Sequence, residues 1–362
     1  MIGVVLIAIL VLVLAWANGA NDVAKGVATL AGNGTANARR AVVWGTLWTV
    51  LGGLTAVIWG GALVTTFSSG YLAPGFRVDL AFVAGTLLGA SGAILAATRL
   101  GLPVSTTHAL LGGVVGAVLV ATGPGGLHAA AIANKALLPL LLSPLIAIGL
   151  CWGLLFAARR IAHLKPARFD ATRTGIEQQM RPDEYGRHAA SVPGCNDDHK
   201  IWTGVHWFSS AATSFARGLN DVPKIAAFLI LTITLVPGLA YVLHPVGPSW
   251  PIVLVALVMG LGGLWGGFRV LDVLAHRVAS LDAGNGVVAN LGTSFVVLLA
   301  TPLGVPVSTT HVSGGALMGI RWADKAKPGQ IDALASILFA WLVTLPVAGI
   351  LSGMSVWLVQ LI

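Results

Sequence analysis

Pro103-Val104-Ser105-Thr106-Thr107-His108 stands unchanged a second time as Pro306-Val307-Ser308-Thr309-Thr310-His311, 203 residues further on. A second pair follows the same order at nearly the same distance. Asn21-Asp22-Val23 recurs as Asn220-Asp221-Val222, 199 residues on, with Lys25 and Lys224 three positions after each Asp. Two motif pairs at one shift are the mark of internal duplication. The chain therefore divides into a first repeat over 1–158, a linker over 159–200 and a second repeat over 201–362. The linker is the one long polar stretch, with eight Lys/Arg and six Asp/Glu between Arg159 and Lys200.

The surroundings of these motifs are apolar. Of 362 residues, 56% are hydrophobic and 9% charged, against roughly 25% charge in soluble domains. Runs near the ~20 residues that cross a bilayer occur at Met1–Trp16, Ala41–Val64, Ala136–Ala158, Val222–Leu243, Pro251–Gly267 and Ile331–Ile362. The net charge of +8 does not indicate a nucleic-acid partner, because the basic residues sit in short loops between apolar runs. Cys151 and Cys195 form neither a metal spacing nor a disulfide framework. Ala15-Trp16-Ala17 has the form of a signal cleavage site. No basic residue precedes it, so the first run is expected to be a retained span.

The expected fold is an all-α integral membrane protein of two inverted-topology repeats. Each repeat would hold a broken span carrying Asn-Asp, a full span, a re-entrant helical hairpin and a final span. The hairpins are Leu80–Thr122 and Gly284–Ile320, turning at Gly-Leu-Pro and Gly-Val-Pro, where proline disfavours helix in the preceding residue. Non-helical backbone at membrane depth needs protein or a water-filled cavity around it, as a re-entrant turn provides. Placing the N-terminus outside puts Arg39, Arg40, the eight linker residues, Arg269, Arg277, Arg321, Lys325 and Lys327 inside, against Arg77 and Lys135 outside. That bias sets the orientation: both termini outside, the linker cytoplasmic, and hairpins entering from opposite faces. Trp44, Trp48, Trp250 and Trp322 are expected as interfacial anchors.

Asp22 and Asp221 are two of only seven acidic residues outside the linker. A charge at bilayer depth costs about 2.5–3.5 kcal/mol, so its retention needs a reason. One Asp–Lys pair reads as a simple ion pair; a symmetric pair reads as function. Asn21, Asp22, Asn220 and Asp221 offer oxygen ligands to a hard cation such as sodium, with unwinding permitted at Gly19 and Gly218. Ser105-Thr106-Thr107 and Ser308-Thr309-Thr310 begin helices, where hydroxyls, free amides and the positive dipole end suit an anion. His108 and His311 serve proton relay or packing.

Ala17-Asn18-Gly19-Ala20-Asn21-Asp22-Val23, Phe215-Ala216-Arg217-Gly218-Leu219-Asn220-Asp221-Val222 and the paired Pro-Val-Ser-Thr-Thr-His segments resemble the PiT family of inorganic phosphate transporters. The resemblance runs through both halves and leaves out mainly the linker. It implies a secondary active transporter, not an enzyme, that imports phosphate with a cation by alternating access in a plasma (inner) membrane. Sodium is favoured over the proton as coupling ion. No other cofactor is implied; the partners are phosphate and membrane lipid, with a homo-oligomer allowed. Ser105, Thr106, Thr107, Ser308, Thr309 and Thr310 would hold the phosphate. Asn21, Asp22, Asn220 and Asp221 would serve the cation or lie beside the anion. The second copy departs from the first, with Arg217 and Leu219 in place of Asn18 and Ala20. A carboxylate facing the anion accepts a proton from phosphate but repels sulfate, which leaves a sulfate permease second. An intramembrane hydrolase needs no duplicated site, and an anion channel uses rings of cations.

Overall fold

The computed structural model describes residues 2–162, 197–236, 238–239, 241, 247, 249–275, 282–323 and 328–361. The first half holds α1 (Ile2–Gly32), α2 (Ala38–Trp59), α3 (Gly61–Ser68), α4 (Leu80–Arg99), α5 (Thr106–Thr122) and α6 (Leu138–Ala162). The second half holds α7 (Asp197–Thr234), α8 (Trp250–Gly266), α9 (Phe268–Val273), α10 (Ala283–Ala300), α11 (Thr309–Ala323) and α12 (Pro328–Gln360). The described residues contain no strand, only an isolated bridge between Leu72 and Leu127. Among the described residues, six helical stretches are long and apolar enough to cross a membrane: Ile2–Gly32, Ala38–Trp59, Leu80–Arg99, Ala129–Arg160, Ala283–Ala300 and Leu342–Gln360. The protein is an all-α, multi-pass membrane protein.

Each hairpin turns by the same local device. Gly101 and Gly304 have φ of 71° and 66°, a region that L side chains avoid and glycine enters freely. The Leu102 amide then donates to the Ala97 carbonyl at 2.9 Å, and Val305 to Ala300 at 3.2 Å. These are the six-to-one bonds of a glycine C-cap, closing α4 and α10. Proline follows at once. Ser105 and Ser308 then accept from the amides of His108 and His311, both at 3.2 Å, and start α5 and α11.

One expectation is overturned. The Asn-Asp spans are not broken: α1 runs unbroken through Gly19 to Gly32, and α7 runs through Gly218 to Thr234, with Pro223 inside it. The two glycines serve close packing instead. A Cβ at Gly19 would collide with the Met259 carbonyl of α8, and one at Gly218 with the Thr49 carbonyl of α2. The apolar run Val222–Leu243 does not begin a separate span, because as far as Thr234 it is the end of α7. Most of the linker, with Arg277, Lys325 and Lys327, lies outside the described residues.

Packing crosses between the halves. α1 lies along α8 and α7 along α2; α5 packs on α12 and α11 on α6. Each hairpin is thus buttressed by the last helix of the other half. Trp44 is no simple surface anchor: its indole donates to the Trp207 carbonyl at 3.1 Å, tying α2 to α7.

Candidate functional site

The Asn-Asp segments of α1 and α7 face the two hairpin turns. Asn21 acts as a brace: its amide donates to the Leu102 carbonyl at 2.9 Å and the Thr98 hydroxyl at 3.0 Å. Its oxygen accepts from the Val104 amide at 3.1 Å. Asn220 braces the second turn, donating to the Val307 carbonyl at 3.3 Å and accepting from Thr301 at 3.3 Å. Thr98 and Thr301 fall 203 residues apart, as the hexapeptides do.

The carboxylates meet lysines. Asp22 pairs with Lys25, and Asp221 with Lys224 at 3.2 Å. A lysine three residues after an aspartate lies on the same helix face, so the spacing alone makes each pair reachable. The amines also reach further. Lys25 donates to the Val104 carbonyl at 2.6 Å and to the Thr310 hydroxyl at 2.5 Å. Lys224 donates to the Val307 carbonyl at 3.0 Å and to the Thr107 hydroxyl at 2.8 Å. Each lysine therefore joins its own half's hairpin turn to the opposite hairpin's first helical turn.

The hairpin tips touch directly as well. Thr310 donates to the Val104 carbonyl at 2.8 Å, and Thr107 to the Val307 carbonyl at 3.2 Å. The His108 and His311 rings lie 4.3 Å apart between centroids. His108 Nδ1 sits 2.9 Å from the Ser105 hydroxyl. Although Ser105 and His108 touch as a hydrolytic dyad would, that serine already caps α5. All six Ser and Thr residues of the paired motifs are buried. The amides of the first turn in α5 and α11 have no carbonyl of their own helix to bond, and the dipole ends add positive potential.

Asymmetry enters at Asn18 and Arg217, which occupy equivalent positions one turn before each Asp. Asn18 donates to the Thr106 hydroxyl at 2.7 Å. Arg217 is 2% exposed, and its Nη2 donates to Thr49. Its Nε and Nη1 have no hydrogen-bond partner among the described residues, nor does Oδ2 of Asp221. Arg217 lies within electrostatic range of both carboxylates. The sequence motifs single out every residue at this junction except Thr98, Thr301 and Thr49. They assign no binding role to Lys25, Lys224 or Arg217, although the cost of burying a cation at membrane depth marks all three.

A second buried polar network was not foreseen: Thr29 contacts His206 at 3.1 Å and accepts from Asn290 at 3.1 Å, and Asn290 also donates to Ser209 at 3.2 Å. Its counterparts in the first half are apolar (Leu87 for Asn290, Leu10 for Ser209), so no repeated motif reveals it.

Unbroken spans around two facing hairpins, with helix starts and buried charges at their junction, define a multi-pass membrane transporter. The chain belongs to the phosphate transporter family, whose model matches residues 18–352. A Pyrococcus furiosus protein named as a phosphate permease is 28% identical, over 94% of this chain and 92% of its own. A Mycobacterium leprae protein named as a low-affinity inorganic phosphate transporter is 26% identical, over 99% of this chain and 78% of its own. A solved structure described as the sodium-dependent phosphate transporter superposes over the whole of both chains with a TM-score of 0.82 at 23% identity. The family and these relatives are transporters, and the chain is not an enzyme.

Proposed function

We propose that the chain imports inorganic phosphate by alternating access, gripping the anion between the first turns of α5 and α11. The observation that carries this reading is the mutual contact of the hairpin tips, Thr310 to Val104 and Thr107 to Val307. It brings two helix N-termini together, and the buried Arg217 lies within electrostatic range of both carboxylates beside them, so that hydroxyls, amides and a guanidinium suit a tetrahedral oxyanion. Ser105, Thr106, Thr107, Ser308, Thr309 and Thr310 supply the hydroxyls. His108 and His311, whose ring centroids lie 4.3 Å apart, serve proton relay or packing between the tips.

A cation gradient, of sodium or protons, drives the import. Asp22 and Asp221 set the charge of the junction, while Asn21 and Asn220 hold the turns in position. Labelled phosphate uptake into proteoliposomes tests the reading. Purified protein should accumulate phosphate, and Ser105→Ala with Ser308→Ala should raise KM. Equal uptake by protein-free vesicles would sink it, and stronger uptake of sulfate than of phosphate would favour a sulfate permease.

The repeats, over 1–158 and 201–362, run in opposite directions through the bilayer in this reading, with re-entrant hairpins and both termini outside. Its support is the charge bias together with the matched contacts of the two halves. Single cysteines at Arg77 and Arg39, each in a cysteine-free background, should label from outside only at the first position. The reverse pattern would overturn the orientation.

A further inference from the structure

The Lys25 ammonium is surrounded by oxygens of three kinds: the Asp22 carboxylate, the Val104 carbonyl at 2.6 Å and the Thr310 hydroxyl at 2.5 Å. Lys224 repeats the set with the Asp221 carboxylate at 3.2 Å, the Val307 carbonyl at 3.0 Å and the Thr107 hydroxyl at 2.8 Å. Carboxylate, backbone carbonyl and neutral oxygen are what a hard cation collects around itself. In both places one donor comes from the Asn-Asp helix, one from the same half's hairpin turn and one from the opposite hairpin. Each centre is already held by a nitrogen bonded to the chain. A sodium ion sharing those oxygens would stand beside a buried ammonium and be repelled by it. The residues present therefore do not fit sodium.

Charge at the junction points the same way. Counting histidine neutral, Asp22 and Asp221 face Lys25, Lys224 and Arg217, a net of one positive charge among buried groups. A singly charged anion cancels it; an added metal cation increases it. Arg217, with Nε and Nη1 lacking partners among the described residues, carries the excess charge for that anion.

We propose that Lys25 and Lys224 are tethered replacements for a coupling metal cation, so that the junction works without sodium. The phosphate part of this inference rests on the function proposed above; the sodium part does not.

Two measurements test it: saturable binding of radioactive sodium to the purified protein, and phosphate uptake with all sodium replaced by N-methylglucamine. The wild-type protein should bind no sodium and keep its uptake in the sodium-free medium. Lys25→Ala and Lys224→Ala remove the amine but leave the oxygens. They should lose sodium-free uptake and gain saturable sodium binding. Lys25→Met fills the same space without charge and should gain none. Saturable sodium binding by the wild type, or loss of its uptake when sodium is withdrawn, overturns the proposal. So does a folded alanine variant that transports unchanged without sodium or gains no sodium binding. Should the alanine variants fail to fold, the wild-type binding result decides alone. If the wild type moves no phosphate in either medium, the function proposed above fails, and the binding result still judges the lysines.

Discussion

The Thr310 hydroxyl donates to the Val104 carbonyl at 2.8 Å, fastening the start of α11 to the turn of the other hairpin. The same hydroxyl accepts from Lys25, so one oxygen belongs to both the tip contact and the ion-pair network. Thr310→Val keeps the side chain's shape and removes both bonds. The Val104 carbonyl keeps its bond from Lys25, and Lys25 keeps Asp22, so the cost is that of two lost hydrogen bonds, about 1–3 kcal/mol together. A lower unfolding temperature in detergent and reduced phosphate uptake are expected. Unfolding at the wild-type temperature would show that the tips are held by other contacts.

The ion pairs should behave as units. Asp22→Asn leaves the Lys25 ammonium buried without its counter-charge, which costs about 3–5 kcal/mol. Combining it with Lys25→Met should recover most of the lost stability but not uptake. Asp221→Asn with Lys224→Met should follow the same course. The measurement is a double-mutant cycle on thermal or denaturant unfolding. Additive single effects would mean that the paired residues are not coupled.

Helix packing supplies a third test. The backbone of α8 lies against Gly19 and that of α2 against Gly218, so an added Cβ would meet a carbonyl at either site. Gly19→Ala and Gly218→Ala should each destabilise by about 1–3 kcal/mol, as overpacking does. A Cβ at the exposed Gly149 would meet nothing within 4 Å. Gly149→Ala should be neutral or slightly stabilising, by at most about 1 kcal/mol. Equal effects at all three positions would remove the packing argument.

The serine caps can be separated from the ligand. Ser105→Ala or Ser308→Ala loses a cap that is worth about 1 kcal/mol, whereas Ser→Thr at either position keeps the hydroxyl. The threonine variants should hold both stability and KM for phosphate close to wild type. A raised KM in the alanine variants at unchanged melting temperature would separate a ligand role from a capping role.

Much of this architecture was legible because its causes are local. A left-handed glycine, a proline and a serine cap lie within a few residues of one another, so Gly101–Ser105 and Gly304–Ser308 announce each turn and each helix start. The unbroken course of α1 and α7 was not legible. Gly19 and Gly218 permit unwinding and close packing equally, and only the neighbouring carbonyls of Met259 and Thr49 distinguish the two. The same holds for Asn21, whose amide could serve a cation or a backbone turn until Leu102 is placed against it.

By itself, the sequence determined the membrane setting, the duplication, the hairpins and the family, since composition, repetition and turn chemistry are properties of the chain in order. Tertiary structure alone decided which groups share the junction. Lys25 meets Thr310 across 285 positions, and Lys224 meets Thr107 across 117. No periodicity encodes contacts of that range; they follow from each half packing its hairpin against the other's last helix. The paired hexapeptides that recur along the sequence thus meet at one junction only when the two halves interlock, with lysines among their oxygens.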